Sequence, residues 1–163
     1  MATVKTVLPG QPAPEFVLLD QNGLIHTVQS YRGHWLIVFF YPKDNTPACV
    51  RESESFRDAM RDFNKRNAKL IGINMDTQTQ HAEFAKKYQL DFPLLSDEDG
   101  AVCRHFGALL SLGPLKWVRR KTFMVSPAGI VVRIFQRVHI RNHSEQVIQD
   151  LDLHQKMVLS KTG

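Results

Sequence analysis

The chain has 163 residues, 43% hydrophobic and 23% charged, which fits one globular domain with a real core and excludes a disordered or collagen-like chain. Its formal net charge is +5, but the basic residues are scattered and form no basic tail, so no nucleic-acid partner is expected. The longest apolar run, Trp35 to Tyr41, is far shorter than the ~20 residues that span a bilayer. The N-terminus also lacks a secretory pattern, so the reading is a cytoplasmic protein with no membrane partner.

The opening Leu8-Pro-Gly-Gln-Pro-Ala-Pro14 reads as extended and turn-rich, because each proline restricts its predecessor. Phe16 to Leu19 and Leu24 to Val28 are short strands around the turn Gln21-Asn22-Gly23. Trp35 to Phe40 is continuously apolar and rich in β-formers, the pattern of a strand buried on both faces. A helix is predicted over 47–65, with Cys49, Phe56, Met60 and Phe63 on one face.

Lys69 to Met75 reads as the next strand, and Thr79 to Tyr88 as a helix with Phe84, Ala85 and Tyr88 inward. Phe92-Pro93-Leu94-Leu95 leads into a short helix over 99–106. The cluster Lys116, Arg119, Arg120 and Lys121 reads as a solvated basic loop. Strands over 121–125 and 130–138 flank the turn Ser126-Pro-Ala-Gly129. A last helix over 144–158 turns Val147, Ile148, Leu151 and Val158 to the core. Alternating strands and helices ending in a hairpin and a helix argue for an α/β fold with a mixed central sheet, formed by a single domain over 1–163.

The chemistry concentrates around Cys49. A buried strand ends at Phe40, the turn Tyr41-Pro-Lys-Asp-Asn-Thr46 follows, and a helix opens with Pro47 at its first position and Cys49 at its third. Thr46 is the natural N-cap, its hydroxyl expected to accept from the N–H of Ala48 or Cys49. A helix N-terminus favours a thiolate by perhaps ~1 kcal/mol, whereas ionising an ordinary thiol at neutral pH takes ~2.7 kcal/mol. A second positive charge is therefore required, and a guanidinium serves at any pH. The other reading of Cys49 is a buried, inert apolar residue. The two cysteines, Cys49 and Cys103, make neither a disulfide framework nor a four-cysteine zinc site. His139 and His143 lack a third ligand, so no metal is expected.

Pro42-x-x-x-Thr46-x-x-Cys49 after a buried strand resembles the active-site motif of the peroxiredoxins. Phe40-Tyr-Pro-Lys-Asp-Asn-Thr-Pro-Ala-Cys49 and Phe56-Arg-Asp58 are similar to the bacterioferritin-comigratory-protein, or PrxQ, subfamily. The likeness runs from about Pro9 to Ile148 and includes Gly10-Gln-Pro-Ala-Pro-Glu-Phe16, Phe92-Pro-Leu-Leu-Ser-Asp97, Phe106-Gly107 and Arg120-Lys-Thr-Phe123. It implies a thioredoxin-like fold and a thiol peroxidase needing no metal, haem or flavin. Cys49 would be the peroxidatic nucleophile, Thr46 would orient the peroxide, Pro42 would shield the thiolate, and Arg120 would supply the positive charge. Arg119 and Arg120 share a predicted strand whose alternation turns one inward, and the resemblance favours Arg120. Glu52 matches a family glutamate that positions the arginine; its other reading is a solvated helix carboxylate.

The implied substrate is hydrogen peroxide or an organic hydroperoxide, and the implied product a sulfenic acid on Cys49. Relatives carry a resolving cysteine at places that here hold Glu54 and Ala85, so both usual positions are empty. Ala48 replaces a common glycine, and Ser126 stands where an acidic residue is usual. Cys103 reads as a buried structural residue, with a resolving role as its alternative. The expected cycle is of one-cysteine type, with an external thiol such as thioredoxin, glutaredoxin or a small thiol as reductant. The resemblance favours a monomer. A thiol-disulfide reductase would need Cys-x-x-Cys, and Glu52 fills the second position. A non-catalytic binding module keeping the same fold is the remaining alternative.

Overall fold

Strand β3 (Trp35–Phe40) is buried along its whole length, as its unbroken apolar sequence requires. It is an interior strand of the computed structural model, which describes residues 6–162. Before it come β1 (Val17–Leu19), β2 (Ile25–Thr27) and a one-turn 3-10 helix (Gln29–Tyr31). After it come α1 (Pro47–Asp58), α2 (Met60–Lys65), β4 (Ala68–Asn74), α3 (Gln78–Tyr88), β5 (Leu94–Ser96) and α4 (Ala101–His105). The chain continues through β6 (Leu109–Leu112), β7 (Leu115–Val118), β8 (Lys121–Val125), β9 (Val131–Phe135) and α5 (His143–Thr162).

Seven strands form one sheet in the order β2-β1-β5-β4-β3-β8-β9. The β3–β4 and β4–β5 pairs are parallel and the other pairs antiparallel, so the sheet is mixed, as the alternation of elements predicts. The two-residue period of the strands divides the core in two. On one face Leu36, Val38, Phe40, Phe123 and Val125 pack with Val102 and Cys103 of α4, with Phe106 just after it, and with Val7 and Phe16. On the other, Ile37, Phe39 and Met124 pack with Cys49 and Phe56 of α1, Phe63 of α2, Phe84 of α3, and Val147 and Leu151 of α5. Gly72, paired with Phe39, has no room for a side chain: a Cβ there would lie 2.8 Å from the Phe39 ring.

Several expectations need correction. The helix over 47–65 is two helices, broken at Ala59, whose N–H is shared between the carbonyls of Ser55 and Phe56. Val158 does not face the core; it is 51% exposed, because α5 runs past the edge of the layer that Val147 and Leu151 bury. The strand over 130–138 stops at Phe135. Arg119 and Arg120 share no strand: they form the link between β7 and β8. The basic cluster is not a solvated loop either. Lys116 belongs to β7, and Lys121 is buried with its Nζ donating to the Gly107 carbonyl at 2.9 Å. The β6–β7 hairpin, a separate two-stranded sheet, lay hidden in that stretch. The single-domain reading covered 1–163, of which 1–5 and 163 lie outside the described residues.

Candidate active site

The parallel β3–β4 pair ends at the loop carrying Pro42, Asp44 and Thr46, and α1 starts from that loop. Asn45 takes a left-handed conformation (φ 64°) that asparagine tolerates, turning the chain into the helix. Thr46 stands at the N-cap and Pro47 at the first helical position, as expected. The Thr46 hydroxyl does not cap the helix, however: it donates to the Lys43 carbonyl at 3.1 Å. The hydroxyl closes the tight turn behind it in preference to the first helical N–H groups.

Cys49 lies in the first turn of α1, 0% exposed, within the cluster that includes Tyr41 and Phe56. Glu52 follows three residues later on the same helical face and is also buried. Arg120 reaches both: one guanidinium nitrogen, Nη1, donates to Glu52 Oε1 at 2.6 Å and Nη2 donates to Cys49 Sγ at 3.2 Å. Arg119 is exposed. The solvated reading of Glu52 fails, since burial leaves its carboxyl no access to water. Burial raises the Glu52 carboxyl to about 7, against the pull of the Arg120 charge, and its second oxygen has no hydrogen-bond partner. Partial burial opposes the charge on Arg120, but the neighbouring Glu52 and Cys49 raise its pKa above the ordinary value. Pro42 is exposed in the loop.

A buried polar network that sequence reasoning missed fixes this loop. Tyr41 Oη donates to Asp44 Oδ1 at 2.7 Å, and Asn74 Nδ2 donates to the same oxygen at 3.2 Å. His81 Nδ1 meets Asp44 Oδ2 at 2.7 Å, while its Nε2 lies 3.2 Å from the Leu95 carbonyl. Both ring nitrogens of His81 thus face acceptor oxygens, the shorter contact being the one to Asp44. The Asp44 N–H donates to Asp76 at 2.7 Å. Burial, then Asp44, push the Tyr41 phenol well above its usual value, so it serves as a donor. The signal was available: an aspartate inside the Pro42–Cys49 motif, and a histidine on the inward face of α3.

The far end of α1 is tied to α5. Ser55 and Ser144 hydroxyls lie 2.7 Å apart, and His143 packs edge-on against Phe56 and Phe135. Burial, with the Arg120 and His139 charges, lowers His143 to about 4, so its neutral ring pairs with Thr122 Oγ1 at 2.7 Å.

Cys103 sits on the other side of the sheet from Cys49, fully buried, with its N–H donating to Asp97 Oδ2 at 2.8 Å. Burial first, then the Asp97 charge, push its thiol far above the ordinary range. Among the described residues no group of three or more His, Cys, Asp or Glu is placed to hold a metal ion.

Comparison with known proteins agrees with this arrangement. Residues 9–134 match the AhpC/TSA family. The chain is 36% identical over 139 residues to Peroxiredoxin Bcp of Xanthomonas campestris pv. campestris, covering 83% of this chain and 87% of that one. The solved bacterioferritin comigratory protein of Xanthomonas campestris superposes with a TM-score of 0.81 at 34% identity, over 85% of this chain and 91% of that one. PrxQ of Xylella fastidiosa superposes with a TM-score of 0.87 at 27% identity, over 93% and 99% of the two chains. With a thioredoxin-like sheet, a cysteine in the first turn of α1 and an arginine against it, the chain belongs to the AhpC/TSA family, in the Bcp/PrxQ branch of the peroxiredoxins.

Proposed function

We propose that Cys49 is the peroxidatic nucleophile of a thiol-dependent peroxidase that works by a one-cysteine cycle. The observation that carries this reading is the Arg120 guanidinium donating to Cys49 Sγ at 3.2 Å, where it stabilises an anionic sulfur. The thiolate attacks the terminal peroxide oxygen, the O–O bond breaks, and Cys49 becomes a sulfenic acid while water or an alcohol leaves after taking up a proton. Backbone N–H groups at the start of α1 and the Arg120 guanidinium stabilise the charge moving onto the leaving oxygen. Glu52 positions Arg120, and Thr46, at the mouth of the helix, orients the peroxide. Pro42, on the same loop, narrows the approach of water. The Xanthomonas campestris relative is described as reducing alkyl peroxides, which supports organic hydroperoxides as substrates alongside hydrogen peroxide.

An external thiol completes the cycle. Two equivalents of thiol reduce the sulfenic acid, releasing water and a disulfide of the reductant. Glu54 and Ala85 occupy the usual resolving positions, and Cys103 lies across the sheet with its thiol held protonated. A thioredoxin, a glutaredoxin or a small thiol fits this role, and the enzyme acts as a monomer in the cytoplasm. Peroxide consumption with dithiothreitol tests the reading. Cys49→Ser is expected to lose turnover completely while keeping the wild-type circular dichroism spectrum; appreciable turnover would refute it.

A further inference from the structure

The β6–β7 hairpin stands outside the main sheet as a separate two-stranded unit. Its register pairs Leu110 with Trp117 and Leu112 with Leu115, which places all four on one face. These side chains are 38%, 41%, 69% and 62% exposed respectively. On the opposite face at the base, Val118 is buried and Leu109 partly so, packed with the Val38–Phe123 side of the core. The core therefore anchors one face of the hairpin and leaves the other apolar and uncovered.

Charge identifies what covers it. From Gly100 to Ser144 the chain has no aspartate or glutamate and eight lysines and arginines. Arg120, Lys121 and Arg133 are engaged with Glu52, the Gly107 carbonyl and Asp150. Lys116 and Arg119, at the hairpin itself, are exposed and have no acidic partner among the described residues. Lys116, paired with Ser111, stands on the opposite face from Leu112 and Leu115, so this cation flanks the apolar tip and does not share its face. Entering tip first, the hairpin matches the two layers of an anionic lipid surface: acyl chains for Leu112 and Leu115, the interface for Trp117, and headgroups for Lys116 and Arg119. A second copy of the chain is a poorer fit. Standard interfaces bury about 800 Å² per partner, more than four half-exposed side chains supply.

We infer that the β6–β7 hairpin docks this protein on anionic bilayers, with Leu110, Leu112, Leu115 and Trp117 in the interface and Lys116 and Arg119 on lipid headgroups. The Arg119 N–H closes the hairpin base on the Ala108 carbonyl at 2.7 Å, and the next residue is Arg120. Docking therefore holds the Cys49 site beside the lipid surface. The chain crosses no bilayer in this arrangement; among the described residues no helix is long and apolar enough to do so.

Co-sedimentation with phosphatidylcholine vesicles, with and without phosphatidylglycerol, tests the inference at physiological salt. Wild type and Cys49→Ser are both expected to bind the anionic vesicles, so the outcome is independent of whether Cys49 is the nucleophile. Leu112→Asp with Leu115→Asp, and separately Lys116→Ala with Arg119→Ala, should each weaken binding by about tenfold or more. The two double variants of the hairpin should consume hydrogen peroxide at the wild-type rate, and Cys49→Ser should keep the wild-type circular dichroism spectrum, which shows that all are folded. Absence of wild-type binding would overturn the inference, as would binding indifferent to the two aspartates. Equal or tighter capture by duplex DNA, or a dimer in solution that the aspartates dissociate without any vesicle binding, would overturn it too.

Discussion

At the level of single residues, the proposed chemistry depends on one guanidinium shared between Cys49 and Glu52. Arg120 donates to Cys49 and to Glu52 at once, so the charge proposed to assist Cys49 is itself held in place by a buried carboxyl. Arg120→Ala should slow reaction with peroxide by about a hundredfold or more, the usual cost of removing a preorganised donor. It should also slow alkylation of Cys49 by iodoacetamide at neutral pH, while Arg119→Ala, altering an exposed side chain, leaves both rates unchanged. Equal losses in the two variants would mean that the wrong arginine has been assigned. Glu52 carries the clearest pH signature. Its carboxyl ordinarily titrates at 4.5 and is raised to about 7 by burial. The folded state thus holds that proton more tightly than the unfolded chain does, and stability falls as pH rises from 4.5 to about 7. Glu52→Gln keeps a hydrogen-bond acceptor for Arg120 and removes the titration. Its stability relative to wild type should grow across this window, by on the order of 3 kcal/mol, in urea unfolding at successive pH values. Parallel pH curves for the two proteins would show that Glu52 does not titrate there.

At the level of elements, the active-site loop owes its shape to a network that starts at the end of β3 and reaches α3. Asp44 is buried and accepts from Tyr41 and Asn74, with His81 of α3 on its other oxygen. Removing one partner of such a buried pair leaves an uncompensated polar group, typically at a cost of 3–5 kcal/mol, about a third of a domain's stability. His81→Ala should therefore lower the urea midpoint strongly and reduce peroxidase activity even where the variant remains folded; an unchanged midpoint would show that the network is dispensable. The sequence disclosed the parts of this site that local pattern controls. Continuous burial announced β3, Thr46-Pro47 announced the start of α1, and the spacing to Cys49 followed. It disclosed less where tertiary contacts decide. Thr46 is placed by its cap position, but its hydroxyl turns back to Lys43 because a nearby carbonyl competes with the helix N–H groups. The break at Ala59 has no proline or glycine to mark it. Leu109 to Val118 carries no clear strand signal because four of its six large apolar residues, Leu110, Leu112, Leu115 and Trp117, face solvent, and alternation normally sorts apolar residues inward.

At the level of the whole molecule, the sheet divides the protein into two cores, and the two cysteines fall on opposite sides of it. Cys49 shares its core with α1, α2, α3 and α5; Cys103 shares its own with α4 and the N-terminal segment. A disulfide needs Cα atoms within about 7 Å, which side chains separated by a sheet do not reach without unfolding one of the layers. The central claim is that Cys49 alone carries the oxidised state and passes it to an external thiol. Mass spectrometry after one equivalent of peroxide, with dimedone present to trap sulfenic acid, tests this most directly. The adduct should appear on the Cys49 peptide in wild type and in Cys103→Ser to the same extent, with Cys103 unmodified and no internal disulfide. A Cys49–Cys103 disulfide in wild type, or a dimedone adduct on Cys103 in place of Cys49, would contradict the account.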